Sequence, residues 1–251
     1  MLRSVKNLEG YLVEATDGDI GTVNQFFFSS GTWIVRYIVV DIGKWLSGRK
    51  VLIAPGMVLY PPDGDKRVIT LNLTKQQIKE SPEIDDRKPV SRQKETKLHK
   101  YFNWIPYWSL SAGDYINTPI PTEEPIPNQE PSANKEKGDT ELRSTKEVLG
   151  YRIRARDGEI GHVEDFIIDD QDWIIRYMVV DTRNWLPGRK VLVSPEWIEN
   201  VIWADLEVQT DLSQKAVKES PKYDSSAPVN REYEVRMYDY YGRPMYWESH
   251  V

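Results

Sequence analysis

With no cysteine and three histidines in 251 residues, thiolate chemistry is excluded, and histidine acid–base or metal chemistry would have to come from His99, His162 or His250. Those three fall in unrelated parts of the sequence and read as surface or rim histidines. Arg36 and Arg176 interrupt apolar runs that Asp41 and Asp181 close. A buried arginine needs an anionic or carbonyl partner, so the spacing predicts a charged pair at a sheet rim, or a site for a ligand carboxylate or phosphate. Asp17 and Asp19, like Asp157 and Glu159, flank a glycine. Two carboxylates there could hold calcium, but no EF-hand spacing follows, and turn chemistry is expected. Trp45, Arg49 and Lys50, with Trp185, Arg189 and Lys190, set an indole beside two cations. That could contact phosphate or RNA, or it could be an indole packed under a loop with its cations in water.

The densest feature is aromatic. Residues 101–108 read YFNWIPYW and residues 240–247 read YYGRPMYW. Tyr101, Phe102, Trp104, Tyr107 and Trp108, and likewise Tyr240, Tyr241, Tyr246 and Trp247, form apolar patches unsuited to water. Each segment is expected to cover an apolar face, its own or a partner's. A protein-recognition surface is the alternative. A base-stacking platform is disfavoured, because Arg236 and Arg243 stand amid Glu232, Glu234, Asp239 and Glu248. With Trp33, Tyr37, Trp45, Trp173, Tyr177 and Trp185, these residues make up the candidate interaction surface. No catalytic, cofactor or metal residues are assigned.

The elements that must position them are duplicated. Residues 33–55 (WIVRYIVVDIGKWLSGRKVLIAP) return at 173–195 (WIIRYMVVDTRNWLPGRKVLVSP), 15 of 23 positions identical; such self-similarity marks two copies of one unit. The match begins at Leu2-Arg3-Ser4 and Leu142-Arg143-Ser144, at an offset of 140. Strands are expected at Tyr11–Ala15 and Tyr151–Ala155. Asp17-Gly18 and Asp157-Gly158 read as hairpin turns. Gly21 and Gly161 mark bulges or close backbone approach. The run from Trp33 to Val40 is apolar on both faces apart from Arg36, so both faces must be covered. Further strands follow at Lys50–Ile53 and Val68–Leu73, and in the copy at Lys190–Val193 and Leu206–Gln209. Each half then has one short helix, Thr74–Lys79 and Ser213–Lys218, with an N-cap threonine or serine and a Ser-Pro stop.

The pattern Asp-Gly-x-Ile-Gly-x-Val, then Tyr-x-Val-Val-Asp, then Val-Leu-x-x-Pro resembles the PRC-barrel family. The first half carries it on Asp17-Gly18, Ile20-Gly21, Val23, Tyr37, Val39-Val40-Asp41 and Pro55. The second carries it on Asp157-Gly158, Ile160-Gly161, Val163, Tyr177, Val179-Val180-Asp181 and Pro195. That family is named for the cytoplasmic domain of the photosynthetic reaction-centre H subunit, and it includes a domain of a ribosome-maturation factor. The resemblance implies small all-β barrels that act by protein contact, with no catalytic residues to carry over.

The expected architecture is therefore all-β: two tandem PRC-type barrels, each with a short helix and an extended aromatic C-terminal segment. Their spans are 1–114 and 142–251, joined by a Pro-rich linker at 115–141. Net charge is −6, and residues 147–251 carry 13 basic against 20 acidic side chains, which argues against nucleic acid. Neither a signal peptide nor a run long enough to span a membrane is visible. The expectation is a cytoplasmic, non-enzymatic protein-interaction or assembly module, without cofactors, whose partner is another protein or a second copy. Association with RNA or the ribosome is the alternative.

Overall fold

Alternating apolar residues, one Asp-Gly turn and one Ser-Pro helix stop in each half dictate strands with short helical interruptions. The computed structural model describes residues 1–43, 48–83, 90–109, 142–182 and 189–248. The linker at 115–141, Trp45 and Trp185 lie outside them. The first repeat forms β1 (Leu2–Ser4), α1 (Val5–Leu8), β2 (Leu12–Ala15), β3 (Gly18–Ser29), β4 (Val35–Asp41), β5 (Lys50–Ile53), β6 (Val68–Thr70), α2 (Lys75–Glu80) and α3 (Arg92–Phe102). The second forms β7 (Leu142–Ser144), α4 (Thr145–Val148), β8 (Arg152–Ala155), β9 (Gly158–Asp169), β10 (Ile175–Asp181), β11 (Lys190–Val193), β12 (Ile198–Ile202), β13 (Glu207–Thr210), α5 (Gln214–Glu219) and α6 (Arg231–Tyr241). The protein is mostly β-sheet, with two sheets and a few helices. No helix among the described residues is long and apolar enough to cross a membrane.

The first sheet runs β5-β4-β3-β2-β6 and the second β11-β10-β9-β8-β13-β12. Each path has two ends, and no ladder among the described residues joins them, so the expected closed barrel is not formed. The terminal strands β5 and β6 are four and three residues long.

The bulge expected at the early glycines is present in both copies. Val13 pairs with Gly21 and Glu14 with Asp19, just as Ile153 pairs with Gly161 and Arg154 with Glu159. Ala15 pairs with Gly18, so the two-residue loop is Thr16-Asp17, one step before the Asp-Gly pair. Asp17 and Asp157 use their carboxylates to accept from the first helical N–H groups of α2 and α5, Lys75 N at 2.8 Å and Gln214 N at 2.7 Å. An anion is favoured at that end of a helix. Thr74 closes a full capping box with Gln77.

The compact units cross the repeat boundary. The first comprises residues 7–145 with 171–173, the second residues 1–6, 146–170 and 174–251. In the first unit β7 adds antiparallel to β3, Phe27 opposite Ser144; in the second β1 adds antiparallel to β9, Ser4 opposite Ile167. Each unit thus takes one strand from the other repeat.

The aromatic segments are not extended. Each opens inside an 11-residue helix, α3 or α6, that repeats at an offset of 139. Ser91 and Asn230 cap the starts, and Asn103 and Gly242, both left-handed, end them. β4 is buried on both faces, as its composition demands, and α3 with its tail covers one of them. Tyr37, Val39 and Leu52 pack with Leu98, Trp104 and Leu142.

Candidate functional site

Arg92, Glu95 and His99 stand three and four residues apart on α3 and share one helical face. That face is turned to the sheet. Glu95 is wholly buried and His99 nearly so, which corrects the reading of His99 as a surface or rim residue. A carboxylate so placed must be matched by donors, and three converge on it. Tyr37 from β4 donates its hydroxyl at 3.1 Å, Tyr107 from the tail at 2.7 Å, and the Arg92 guanidinium lies at 3.0 Å. Burial still outweighs these donors and holds the Glu95 carboxyl above the usual carboxylate range. Burial, with the Glu95 charge, raises both phenols. Tyr37 also lies 2.8 Å from His99 Nε2.

The tail then folds back to lock the helix. Trp104 N–H bonds the His99 carbonyl, and a 3-10 turn at Tyr107–Ser109 follows. The result is a ladder of cations and rings: Arg36 over Tyr107 at 4.3 Å and Arg92 over Trp108 at 4.1 Å. Such contacts contribute about 0.5–2 kcal/mol each, more where water is excluded. Arg36 is buried as expected and lies over Tyr107, and Asp41 accepts from Gly43 N–H within its own turn.

The second unit repeats the carboxylate, tyrosine and arginine contacts. Glu234 accepts from Tyr177 at 2.6 Å and Tyr246 at 3.1 Å and pairs with Arg231 at 3.2 Å. Arg176 lies over Tyr246 at 4.2 Å and Arg231 over Trp247 at 3.8 Å. Two positions differ: Tyr238 stands where the first unit has His99, its ring 6.4 Å from that of Tyr177, and Arg243, which bonds Asp211, stands where the first unit has Trp104.

The candidate aromatic residues therefore divide. Tyr37, Trp104, Trp173 and Tyr177 are buried. Phe102, Tyr107, Trp108, Tyr241, Tyr246 and Trp247 are half-buried; Phe102 stacks on Trp104, and Tyr241 leans on Trp197. Trp33 and Trp173 adopt φ of 59° and 58°, costly for a bulky side chain, and pack on Phe28 and Phe26. Tyr101 and Tyr240 keep 38% and 39% of their surface, with hydroxyls bonded to the carbonyls of Gln77 and Ala216. The guanidiniums expected in solvent are occupied: Arg49 bonds the carbonyls of Lys79 and Ser81 at the end of α2, and Arg189 that of Ser220 after α5.

Sequence reasoning does not single out Glu95, Arg92 or Arg231, and it marks Glu234 only as an unfavourable neighbour of a stacking platform. The recoverable signal is the pair Arg-x-x-Glu at 92–95 and 231–234, carried at the same offset as the aromatic residues. Among the described residues no group of three or more histidine, aspartate or glutamate side chains is placed to hold a metal ion.

No family model matches the chain. Over 81 residues, 32% of its length, the chain is 36% identical to an uncharacterized protein of Deinococcus radiodurans, and the match spans 28% of that protein.

Proposed function

We propose that this chain is a cytoplasmic, non-enzymatic module for protein interaction and assembly, built from two PRC-type β units. The observation that carries this reading is the burial of its gathered carboxylates. Glu95 and Glu234, the carboxylates drawn together with tyrosine and arginine, are buried and bonded to donors of their own unit. General acid–base work needs a group that reaches a substrate atom; these instead fasten a helix to a sheet. The one imidazole of the clamp gives way to a tyrosine in the other copy, a change that a fastening role accommodates. Exposed apolar side chains supply material for contact: Leu59 and Tyr60 in the first unit, Leu206 in the second, and Tyr101 and Tyr240 at matching places in both.

The test is affinity capture with the full chain, then reconstitution from two purified components by isothermal titration calorimetry. A saturable complex weakened at least tenfold by Tyr60→Glu with Tyr101→Glu, with circular dichroism unchanged, supports the reading. Capture abolished by nuclease, with affinity falling steeply in salt, would replace it with RNA association.

A further inference from the structure

The two sheets finish differently beyond β6 and β13. In the first unit residues 58–63 close the edge: Leu59 N–H bonds the Thr70 carbonyl at 2.9 Å, and Asp63 and Val68 exchange N–H to carbonyl bonds at 2.9 and 3.2 Å. Pro61 and Pro62, which correspond to Val201 and Ile202, lack the N–H that a further strand would need. In the second unit the same stretch is the strand β12, and the sheet ends on it. Ile198–Ile202 pair with β13 on one side. Ile198 N–H turns back to the Pro195 carbonyl; among the described residues the other groups on the outer side have no partner. Such a row of N–H and C=O groups is a template for another strand. At the opposite ends of the sheets, β5 and β11 each bury three of four residues, whereas no residue of β12 is fully buried. A register shift between Ile198 and Asn200 leaves both Glu199 and Asn200 exposed. The edge is also acidic. Residues 196–207 hold four acids and no base, while the corresponding residues 56–68 hold two of each. Glu207 lies 3.8 Å from Arg152. Glu196, Glu199 and Asp205 are exposed and form no ion pair among the described residues.

We infer that the outer edge of β12 docks an extended segment of another protein, one that alternates basic and apolar side chains. Main-chain bonds to the edge fix the register of the added strand, and the unpaired acids select its charge. The half-buried Val201 and Ile202, with Leu206 53% exposed beside them in the turn, receive its apolar side chains. A second copy would bring the same acids to the edge, like charge against like. The inference rests on the assembly reading above and gives it a surface and a partner chemistry.

The test titrates the full chain with a synthetic peptide, acetylated and amidated, of sequence Thr-Lys-Val-Arg-Val-Lys-Thr. Isothermal titration calorimetry should show saturable 1:1 binding, weakened at least tenfold by Glu196→Lys with Glu199→Lys, two exposed changes that leave circular dichroism unaltered. The same peptide with glutamate at its three basic places should not bind. An added strand uses every second N–H, so N-methylation of one alternate set should abolish binding while methylation of the other set preserves it. In the complex at least one amide among residues 199–202 should exchange at least about tenfold more slowly. Binding that survives methylation of either set, or no binding up to about 1 mM peptide, overturns the inference. A dimer that grows with protein concentration and excludes the peptide overturns it in favour of a second copy. The methylated peptides require no variant, so they decide the matter even if the double change fails to fold. In the reconstituted complex, weakening by Tyr60→Glu with Tyr101→Glu but not by Glu199→Lys keeps the assembly reading and removes the β12 edge from it.

Discussion

Glu95 sits where a charge is least tolerable, and Arg92, Tyr37 and Tyr107 make it tolerable. Removing one side of such a group costs more than the group contributes, because the partners stay behind unmatched. Glu95→Ala should therefore destabilise the protein by about 3–5 kcal/mol, and Glu95→Gln, which keeps an acceptor, by less; urea unfolding of the two variants checks the order. His99 adds a pH dependence. Burial holds its imidazole down at about 4 from 6.5, so between those values the unfolded chain binds a proton that the native chain does not. Stability from this group is complete above pH 6.5 and falls as pH drops, by about 1.4 kcal/mol per unit and about 3 kcal/mol by pH 4. Glu95 acts in the opposite sense: its raised pKa favours the native state at low pH, and that contribution is lost as pH rises through the raised value. Arg36, Arg92, Tyr37 and Tyr107, which face both groups, keep their protonation across this window. His99→Tyr, the second unit's own choice, should remove at least half of the acid-induced loss measured between pH 6.5 and 4.5. An unchanged slope would mean that His99 is not the titrating group.

At the scale of elements, local chemistry explains what was legible. The β2–β3 hairpin, β4, β5 and α2 announce themselves through Asp-Gly, two-faced apolar runs and a capping box, and all are present. α3 does not. Residues 92–102, RQKETKLHKYF, look solvent-exposed, because the face turned to the sheet carries Glu95 and His99 beside a single leucine, Leu98. A period search for apolar residues cannot find a helix whose contact face is polar and matched by tyrosines from elsewhere. Gly21 shows the reverse, a feature read correctly for a steric reason. A Cβ there would lie 2.0 Å from the Asp41 carbonyl oxygen, so Gly21→Ala must part β3 from β4 at the bulge. We expect a loss of at least about 3 kcal/mol, against a change within about 0.5 kcal/mol for Gly31→Ala, which has nothing within 4 Å. Equilibrium unfolding of the pair separates a packing constraint from a general cost of replacing glycine.

The path of the whole chain was the least legible, since Leu-Arg-Ser is identical at residues 2–4 and 142–144 and says nothing about which sheet each copy joins. The acids at 164, 165, 169 and 170, against neutral side chains at 24, 25, 29 and 30, set the two sheets apart, but residues 142–146 carry the same arginine and lysine as residues 2–6, so charge does not sort the segments, and each pairing spans more than 100 residues. Pairings so distant in sequence form late and depend on few contacts, so the second unit should be vulnerable at a point far from its own repeat. A chain lacking residues 1–6 should lose protection on β9, with the amides of residues 168 and 170, which face the missing strand, exchanging at least about tenfold faster, equivalent to about 1.4 kcal/mol. The amide of Phe28 on β3, opposite Arg143 of β7, should keep its protection. Hydrogen exchange read residue by residue distinguishes the alternatives: if deleting the first segment exposes β3 instead, each segment serves its own repeat and the exchange of strands does not occur.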